Sequence, residues 1–336
     1  MALIQFTNDG MYCPQGDFYI DPWKPVNKAV ITHAHADHAR SGNQFYLSQR
    51  LTTAVLKLRL GQNNYQSVDY GETLEINGVK ITFFPAGHIL GSSQVRVAYN
   101  GETWVVAGDY KVVDDGISAP FEPVKCDVFI TESTFGLPVY HWKPQEVIFE
   151  EMLRWIAENK SKGKASVIIA YSLGKAQRVI EGLRPLQETI WAHGAVYNVQ
   201  QTLIDAGATL LPVKRITKET SKADLKEAVI IAPPGAEGST WMRRFEPYNY
   251  AICSGWMQVR GNVRRRNADA GFVLSDHADW QGLLQAIKET GAQKIFVTHG
   301  FQAVFSRYLK EIGYDAAEVR TSFGDAESPL TENEMD

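Results

Sequence analysis

The sequence predicts an α/β protein in which one catalytic domain is interrupted by an inserted α/β unit. Three observations predict this fold class. Short apolar runs with strand-like character recur through the first third of the chain, and each ends in a loop of polar residues. A helical pattern begins at Gln145, and strands then alternate with helices. After Cys253 the chain returns to strand–loop segments, the last ending in histidine. The polar strand ends before and after the insertion therefore predict one shared site.

The predicted elements follow in chain order. The strand-like runs of the first third cover four segments: 29–32, 79–84, 104–107 and 127–130. The inserted unit begins with a helix over 145–159, where apolar residues recur at three- to four-residue spacing. Strand–helix alternation then continues through three segments: 167–170, 175–186 and 199–206. Strands over 271–274 and 294–297 then complete the interrupted domain.

The composition is that of an ordinary globular protein. Its 336 residues are 44% hydrophobic and 21% charged, enough for one large domain or two moderate ones. No stretch approaches the roughly 20 apolar residues of a membrane span, and the N-terminus lacks a basic start followed by an apolar core. The three cysteines are widely separated, which fits neither a disulfide framework nor a Cys-x-x-Cys metal site. We therefore expect a cytoplasmic protein without a membrane partner.

The net charge of −4 argues at first against a nucleic-acid partner, because phosphate binding normally shows as a basic footprint. The local distribution differs. Between residues 239 and 266 there are six arginines against one acid, Glu246. Three tryptophans accompany this stretch: Trp241, Trp256 and, further on, Trp280.

Guanidinium groups beside indoles are typical of a groove for single-stranded nucleic acid, where phosphates pair and bases stack. The alternative is that the tryptophans are core residues and the arginines form a solvated face. We expect nucleic-acid contacts from three consecutive arginines of this stretch: Arg264, Arg265 and Arg266.

Metal-competent side chains are concentrated after the first buried strand, in the run from His33 to His38. Imidazole and carboxylate together suit zinc, manganese or iron. Alternation along an extended chain would direct His33 and His35 to one point, and a turn would direct Asp37 and His38 to a second. The alternative is a histidine-rich loop that stabilises a core. Three further candidates stand at comparable strand ends: His88, Asp109 and His299.

The order of these motifs resembles the metallo-β-lactamase superfamily, whose His-x-His-x-Asp-His run is followed by a strand-end histidine and then an aspartate. Three segments resemble the additional motifs of the β-CASP nucleases: Thr131–Gly136, Ser275–Asp279 and Val297–Gly300. Two segments are similar to the bacterial ligase-associated DNA exonucleases: Gly136–Trp142 and Gly271–Trp280. The resemblance extends over nearly the whole chain.

The resemblance implies a metallo-β-lactamase αββα sandwich with an inserted β-CASP α/β cap domain. The metallo-β-lactamase domain would occupy residues 1–140 and 273–336, and the cap would occupy residues 141–272. It also implies two divalent metal ions, zinc or manganese. One ion would lie on His33, His35 and His88, the other on Asp37, His38 and His299, with Asp109 bridging.

The resemblance further assigns a proton donor for the leaving 3′ oxygen. His277 would supply that proton, and Glu132 would orient the ring, so that Asp37, Asp109, Glu132 and His277 form the catalytic set. Two alternatives stay open from the residues alone. His277 could make a supporting hydrogen bond to a metal ligand, and Glu132 could be a structural carboxylate at a strand end.

A phosphate site is predicted where the strand over 167–170 meets the following helix. A helix N-terminus presents free N–H groups and a positive dipole end, which favour a phosphate. The residues concerned are Tyr171, Ser172, Gly174 and Lys175. An ordinary helix cap is the alternative. By resemblance, Ser133 and Thr134 would line the same substrate cleft.

The function expected from these features is that of a DNA exonuclease in DNA repair or end processing. An RNA-processing nuclease of the same fold is the alternative, because the eukaryotic DNA-repair members lack a histidine where His299 stands. A non-catalytic nucleic-acid-binding subunit belongs to another class, but such subunits lose ligands that are all present here. The expected partners are nucleic acid, with DNA favoured over RNA, and a DNA ligase and helicase by functional association.

Overall fold

The computed structural model describes residues 2–259 and 267–319 of the chain. The chain divides into two compact units. The first comprises the residues up to His141 together with the described residues from His277 onward, and the second runs from Trp142 to Asp276. No helix within the described ranges has the length and apolarity needed to cross a bilayer.

The first unit contains two sheets, one of six strands and one of seven. The six-stranded sheet has its strands in chain order: β1 (Gln5–Thr7), β2 (Gly10–Cys13), β3 (Phe18–Ile20), β4 (Lys28–Ile31), β5 (Phe45–Gln49) and β6 (Asn64–Val68). The spatial order of the seven-stranded sheet is β19 (Asp315–Glu318), β18 (Lys294–Thr298), β11 (Val128–Glu132), β10 (Glu102–Val106), β9 (Ser93–Tyr99), β8 (Val79–Pro85) and β7 (Thr73–Ile76).

Side chains from both sheets meet in one apolar core, to which Ile20 and Val30 contribute from the first sheet and Ile81 and Val97 from the second. The part of this unit that the structure describes also has three helices: α1 (Arg50–Leu60), α5 (Trp280–Thr290) and α6 (Gln302–Glu311). Helix α1 packs on β5 and β6, whereas α5 and α6 share a second core with the other face of the seven-stranded sheet. The order helix, sheet, sheet, helix confirms the predicted αββα sandwich.

The second unit is a parallel α/β layer. Its six strands follow the spatial order β14 (Lys214–Arg215), β13 (Ile190–Ala192), β15 (Val229–Ala232), β12 (Ala165–Ile169), β16 (Tyr248–Cys253) and β17 (Ala270–Phe272). All five pairings are parallel, which fits strands that are apolar on both faces. The described residues of this unit include three helices: α2 (Gln145–Ser161), α3 (Lys175–Gly182) and α4 (Gly194–Asp205).

Candidate metal centre

The candidate ligands of the first unit stand at strand ends. His33 follows β4, His88 follows β8, Asp109 follows β10 and His299 follows β18. The structure gathers seven side chains into two groups, and within each group the ligand atoms lie within 4.8 Å of one another. The first group is His33, His35, His88 and Asp109, and the second is Asp37, His38 and His299. The residues assigned from the sequence are therefore brought together in space.

Asp109 connects the two groups through its two carboxylate oxygens. Oδ2 lies 3.4 Å from Nε2 of His33 and 3.7 Å from Nε2 of His88. Oδ1 lies 3.4 Å from Nε2 of His38. One oxygen thus faces each group, which is the geometry that a bridging carboxylate requires.

The donor set fits divalent ions such as zinc or manganese, because it consists of imidazole nitrogens and carboxylate oxygens. Within the first group, Nδ1 of His35 lies 3.0 Å from Nε2 of His33 and 3.2 Å from Nε2 of His88. The buried Nε2 of His38 makes no hydrogen bond within the described chain. A metal ion would satisfy this nitrogen.

Asp21 orients His38 and was missed by the sequence analysis. It is 3% exposed, lies just after β3 and has a backbone φ of 42°. Its carboxylate accepts hydrogen bonds from the backbone N–H of Thr32 at 2.8 Å and from the Thr32 hydroxyl at 2.6 Å. The same carboxylate lies 2.8 Å from Nδ1 of His38. This contact places the ring proton on Nδ1 and leaves the lone pair of Nε2 for a metal.

Burial and mutual charge determine the protonation states of the centre. Burial, reinforced by the nearby His38, lowers the pKa of His33 well below its usual value. Burial also lowers the pKa of His38, but the carboxylates of Asp109 and Asp37 outweigh it and raise this pKa well above its usual value. For Asp109, burial alone would raise the pKa, yet His38 lowers it well below its usual value. A protonated His38 is therefore the cationic partner of these carboxylates in the metal-free centre, and a metal ion on Nε2 would replace that proton.

The buried Glu132 and the partly exposed His277 form a pair beside these groups. Nδ1 of His277 lies 2.8 Å and 3.0 Å from the two oxygens of Glu132. Glu132, at the end of β11, is 1% exposed and also accepts a hydrogen bond from the backbone N–H of Tyr110 at 2.8 Å. The side chain of His277 is 20% exposed, and its ring centroid lies 4.5 Å from that of His88. A partly accessible imidazole is thus fixed next to the metal-competent groups.

Ser133 and Thr134, predicted to line the substrate cleft, are 0% and 4% exposed. The hydroxyl of Ser133 donates a hydrogen bond to the carbonyl of His299. The following Gly300 has a φ of 68°, and a Cβ there would lie only 2.4 Å from the carbonyl oxygen of Ser133. Ser133 therefore supports the loop that carries His299, and its contact with substrate stays a prediction.

Lys175, the predicted phosphate contact in the second unit, is only 6% exposed. Its Nζ lies 3.8 Å from Asp276 and 5.0 Å from the centroid of the Tyr171 ring. Asp276 is also 3.2 Å from Nη1 of Arg178. The charge of Lys175 is thus engaged within this unit, and a phosphate contact there stays a prediction.

The neighbouring residues complete the start of α3. Gly174 precedes the helix with a φ of 91°, and its N–H donates to Oε1 of Gln177 at 2.7 Å. Gln177 in turn donates through Nε2 to the carbonyl of Ser172 at 3.1 Å. One N–H of this helix start therefore already has a partner, as an ordinary cap would provide.

The arginines and tryptophans considered for nucleic-acid contact lie in different surroundings. Arg264, Arg265 and Arg266 lie outside the described residues. Trp256 and Trp280 are 6% and 5% exposed, which makes them core residues. Trp241 is half-buried, with its ring centroid 4.8 Å from that of His193.

The chain is similar in sequence to several known proteins. No family model matches the chain. A "Probable DNA ligase" from Opitutus terrae is 28% identical over 316 residues, which are 93% of this chain and 30% of the relative. An "Endoribonuclease YSH1" from Kluyveromyces lactis is 34% identical over 117 residues, 34% of this chain and 15% of the relative. An "RNase J-like protein" from Methanocaldococcus jannaschii is 24% identical over 184 residues, 47% of this chain and 43% of the relative.

The chain thus spans less than half the length of each of these relatives. Among solved structures, a protein of unknown function from Enterococcus faecalis V583 matches with a TM-score of 0.57 and 12% sequence identity, over 81% of this chain and 74% of that one. At this identity the likeness concerns the fold alone. The strand-end ligand groups, the αββα layers and the similar proteins are together consistent with the β-CASP branch of the metallo-β-lactamase superfamily.

Proposed function

We propose that the protein is a metal-dependent nuclease, and specifically a DNA exonuclease that acts in DNA repair or end processing. The observation that carries this proposal is the position of Asp109. One of its oxygens faces each group of metal-competent side chains, and its carboxylate also lies within 4.8 Å of ligand atoms of Glu132 and His277. This arrangement supports a two-ion centre next to the pair of Glu132 and His277.

The first group would hold one ion and the second group the other, and Asp109 would be a ligand of both. Two divalent ions of zinc or manganese supply, when bound, activation of water and neutralisation of phosphate charge. Asp21 contributes by orienting His38, and Ser133 contributes by supporting the loop of His299.

His277 is proposed to deliver a proton to the leaving 3′ oxygen. Glu132 engages Nδ1, so Nε2 is the nitrogen that would exchange the proton with the substrate. The 20% exposure of the His277 side chain allows such contact, whereas the 1% exposure of Glu132 restricts the carboxylate to an orienting role.

An RNA-processing nuclease is the second candidate. Two of the similar proteins carry names that state ribonuclease activity, the endoribonuclease from Kluyveromyces lactis and the RNase J-like protein from Methanocaldococcus jannaschii. The relative that covers most of this chain is named as a probable DNA ligase, which favours DNA and a functional association with ligation.

The decisive experiment is digestion of end-labelled oligonucleotides of one sequence. Single- and double-stranded DNA and RNA, with 5′-phosphate or 5′-hydroxyl ends, are incubated with zinc and with manganese. We expect mononucleotide release from DNA, and none from the Asp109→Asn variant. Equal or better cleavage of RNA would favour the second candidate, and tight binding without cleavage in either metal would contradict nuclease activity altogether.

A further inference from the structure

A pocket of about 440 Å³ borders the loop that carries the first metal-competent residues. Its lining includes Ala36 and Ala39, which flank Asp37 and His38 in the sequence. The pocket is open to solvent and lies wholly in the first unit. A ligand in this pocket would therefore lie next to the candidate metal centre.

Three cationic side chains line this pocket: Lys24, Arg40 and Arg59. None of the described lining residues is acidic. Lys24 has an ion pair with Asp9 at 3.3 Å, but both side chains are about half exposed, and such surface pairs contribute little. Arg59 also interacts electrostatically with Asp37 beside the pocket, and the described lining itself has three cations and no acid, a composition that suits an anion.

Local contacts fix the backbone and side chains that present these charges. Arg59 lies in the last turn of α1, and its Nη1 donates a hydrogen bond to the carbonyl of Ala34 in the metal-ligand loop. The carbonyl of Arg40 accepts hydrogen bonds from the hydroxyl of Tyr46 at 2.8 Å and from Nδ2 of Asn43 at 3.2 Å. The pocket is thus part of the same rigid arrangement as the loop beside it.

We propose that this pocket binds a backbone phosphate of the nucleic-acid strand, at least one nucleotide away from the phosphate that is cut. This inference rests on the proposed nuclease function and adds a subsite to it. Arginine suits such a site, because its planar guanidinium can donate two parallel hydrogen bonds to phosphate oxygens. A strand that continues past the centre would be held by a charge that a single nucleotide cannot reach.

The test compares a substrate that can reach the pocket with one that cannot. The probes are a 12-nucleotide single-stranded DNA and thymidine 5′-(p-nitrophenyl phosphate), which has a single phosphodiester. The variants are Arg40→Gln and Lys24→Gln. Lys57→Gln is the control. Lys57 is an exposed cation in the last turn of α1, the helix that also carries Arg59, and it does not line the pocket.

We expect Arg40→Gln to lower the ratio of kcat/KM for the oligonucleotide to kcat/KM for the ester by about tenfold, the scale of one charged hydrogen-bonded contact. The slope of log affinity against log salt should fall by about 0.7, since one phosphate contact on a single strand is lost. Lys57→Gln should leave both quantities unchanged. Equal losses on both substrates would overturn the proposal, because they would mean that Arg40 only supports the metal-ligand loop.

The same proteins separate this inference from the proposed function. If wild type cleaves neither probe in zinc or manganese, the nuclease proposal fails. The pocket is then tested by the anisotropy of the fluorescein-labelled oligonucleotide in EDTA, where Arg40→Gln should weaken binding about tenfold and equal affinity would refute the pocket. If Arg40→Gln does not fold, as judged by thermal denaturation, the exposed Lys24→Gln carries the same comparison.

Discussion

The hydrogen bond between Asp21 and His38 predicts a loss of metal affinity in Asp21→Asn. The amide that replaces the carboxylate has one acceptor and one NH₂ group, whereas the native carboxylate accepts from Thr32 and His38 through both oxygens. Either orientation of the amide therefore places NH₂ against a donor. If it faces His38, the ring proton must move to Nε2, which removes the lone pair that a metal needs.

The size of the expected loss of metal affinity follows from the burial of Asp21, which is 3% exposed. In the other orientation the amide leaves the backbone N–H of Thr32 unsatisfied, at a cost of about 1–3 kcal/mol. Loss of such an orienting partner typically weakens metal binding by about 10- to 100-fold. We therefore expect a loss of zinc affinity within this range.

Chelator competition measures zinc affinity directly, and thermal denaturation shows whether the variant folds. Asp17→Asn is the matched control, since Asp17 is an exposed carboxylate just before β3 that bonds Tyr12 and Lys28 at the surface. Zinc affinity within twofold of wild type in Asp21→Asn would refute the reasoning. A similar loss in Asp17→Asn would show that any charge change in this region has the same effect.

Three further variants test other parts of the site. The protein should bind close to two transition-metal ions per chain, and Asp109→Asn should lower that content and abolish hydrolysis; elemental analysis that finds full occupancy in an active variant would remove the shared-ligand assignment. His277→Ala should keep its metal content and lose roughly 10²–10⁴-fold in rate, and a substrate with a 3′-bridging sulfur, whose leaving group needs no proton, should recover much of that loss. Normal turnover of ordinary DNA by this variant would contradict the proton-donor role. Lys175→Met should lower the free energy of unfolding by about 1–3 kcal/mol, because Asp276 loses a buried cationic partner while Arg178 remains. If Lys175 also contacts phosphate, the variant should lose any preference for 5′-phosphorylated ends; denaturant unfolding and end-group comparison measure the two effects separately.

The strand-end positions of the ligands could be predicted from the sequence, because a buried apolar run followed at once by histidine or aspartate is a local signal. The same signal precedes Asp21, which follows the short apolar run of β3. Asp21 was missed because β3 has only three residues, and its partner His38 is 17 positions away. A pairing at that separation depends on strand order, which local periodicity does not contain.

The αββα layers were predicted from the family resemblance and not from the periodicity of apolar residues. Strands β1 to β3 have three or four residues each, too few to show a reliable alternation. The inward position of Lys175 was also hidden, because a lysine at a helix start is ordinarily exposed. The buried Asp276, about 100 residues later in the chain, gives this covered lysine an ionic partner.

The order of the strands has a consequence for how the protein is made. The first group of metal-competent side chains is complete once the ribosome has released Asp109, whereas the second needs His299. Strand β18, which precedes His299, pairs in parallel with β11, so the hydrogen-bonding edge of β11 lacks this partner until the insertion has been synthesised. A nascent chain therefore acquires one half of its centre before the insertion and the other half only after it, and a ribosome that stalls within the insertion leaves a protein with half a centre and an open sheet edge.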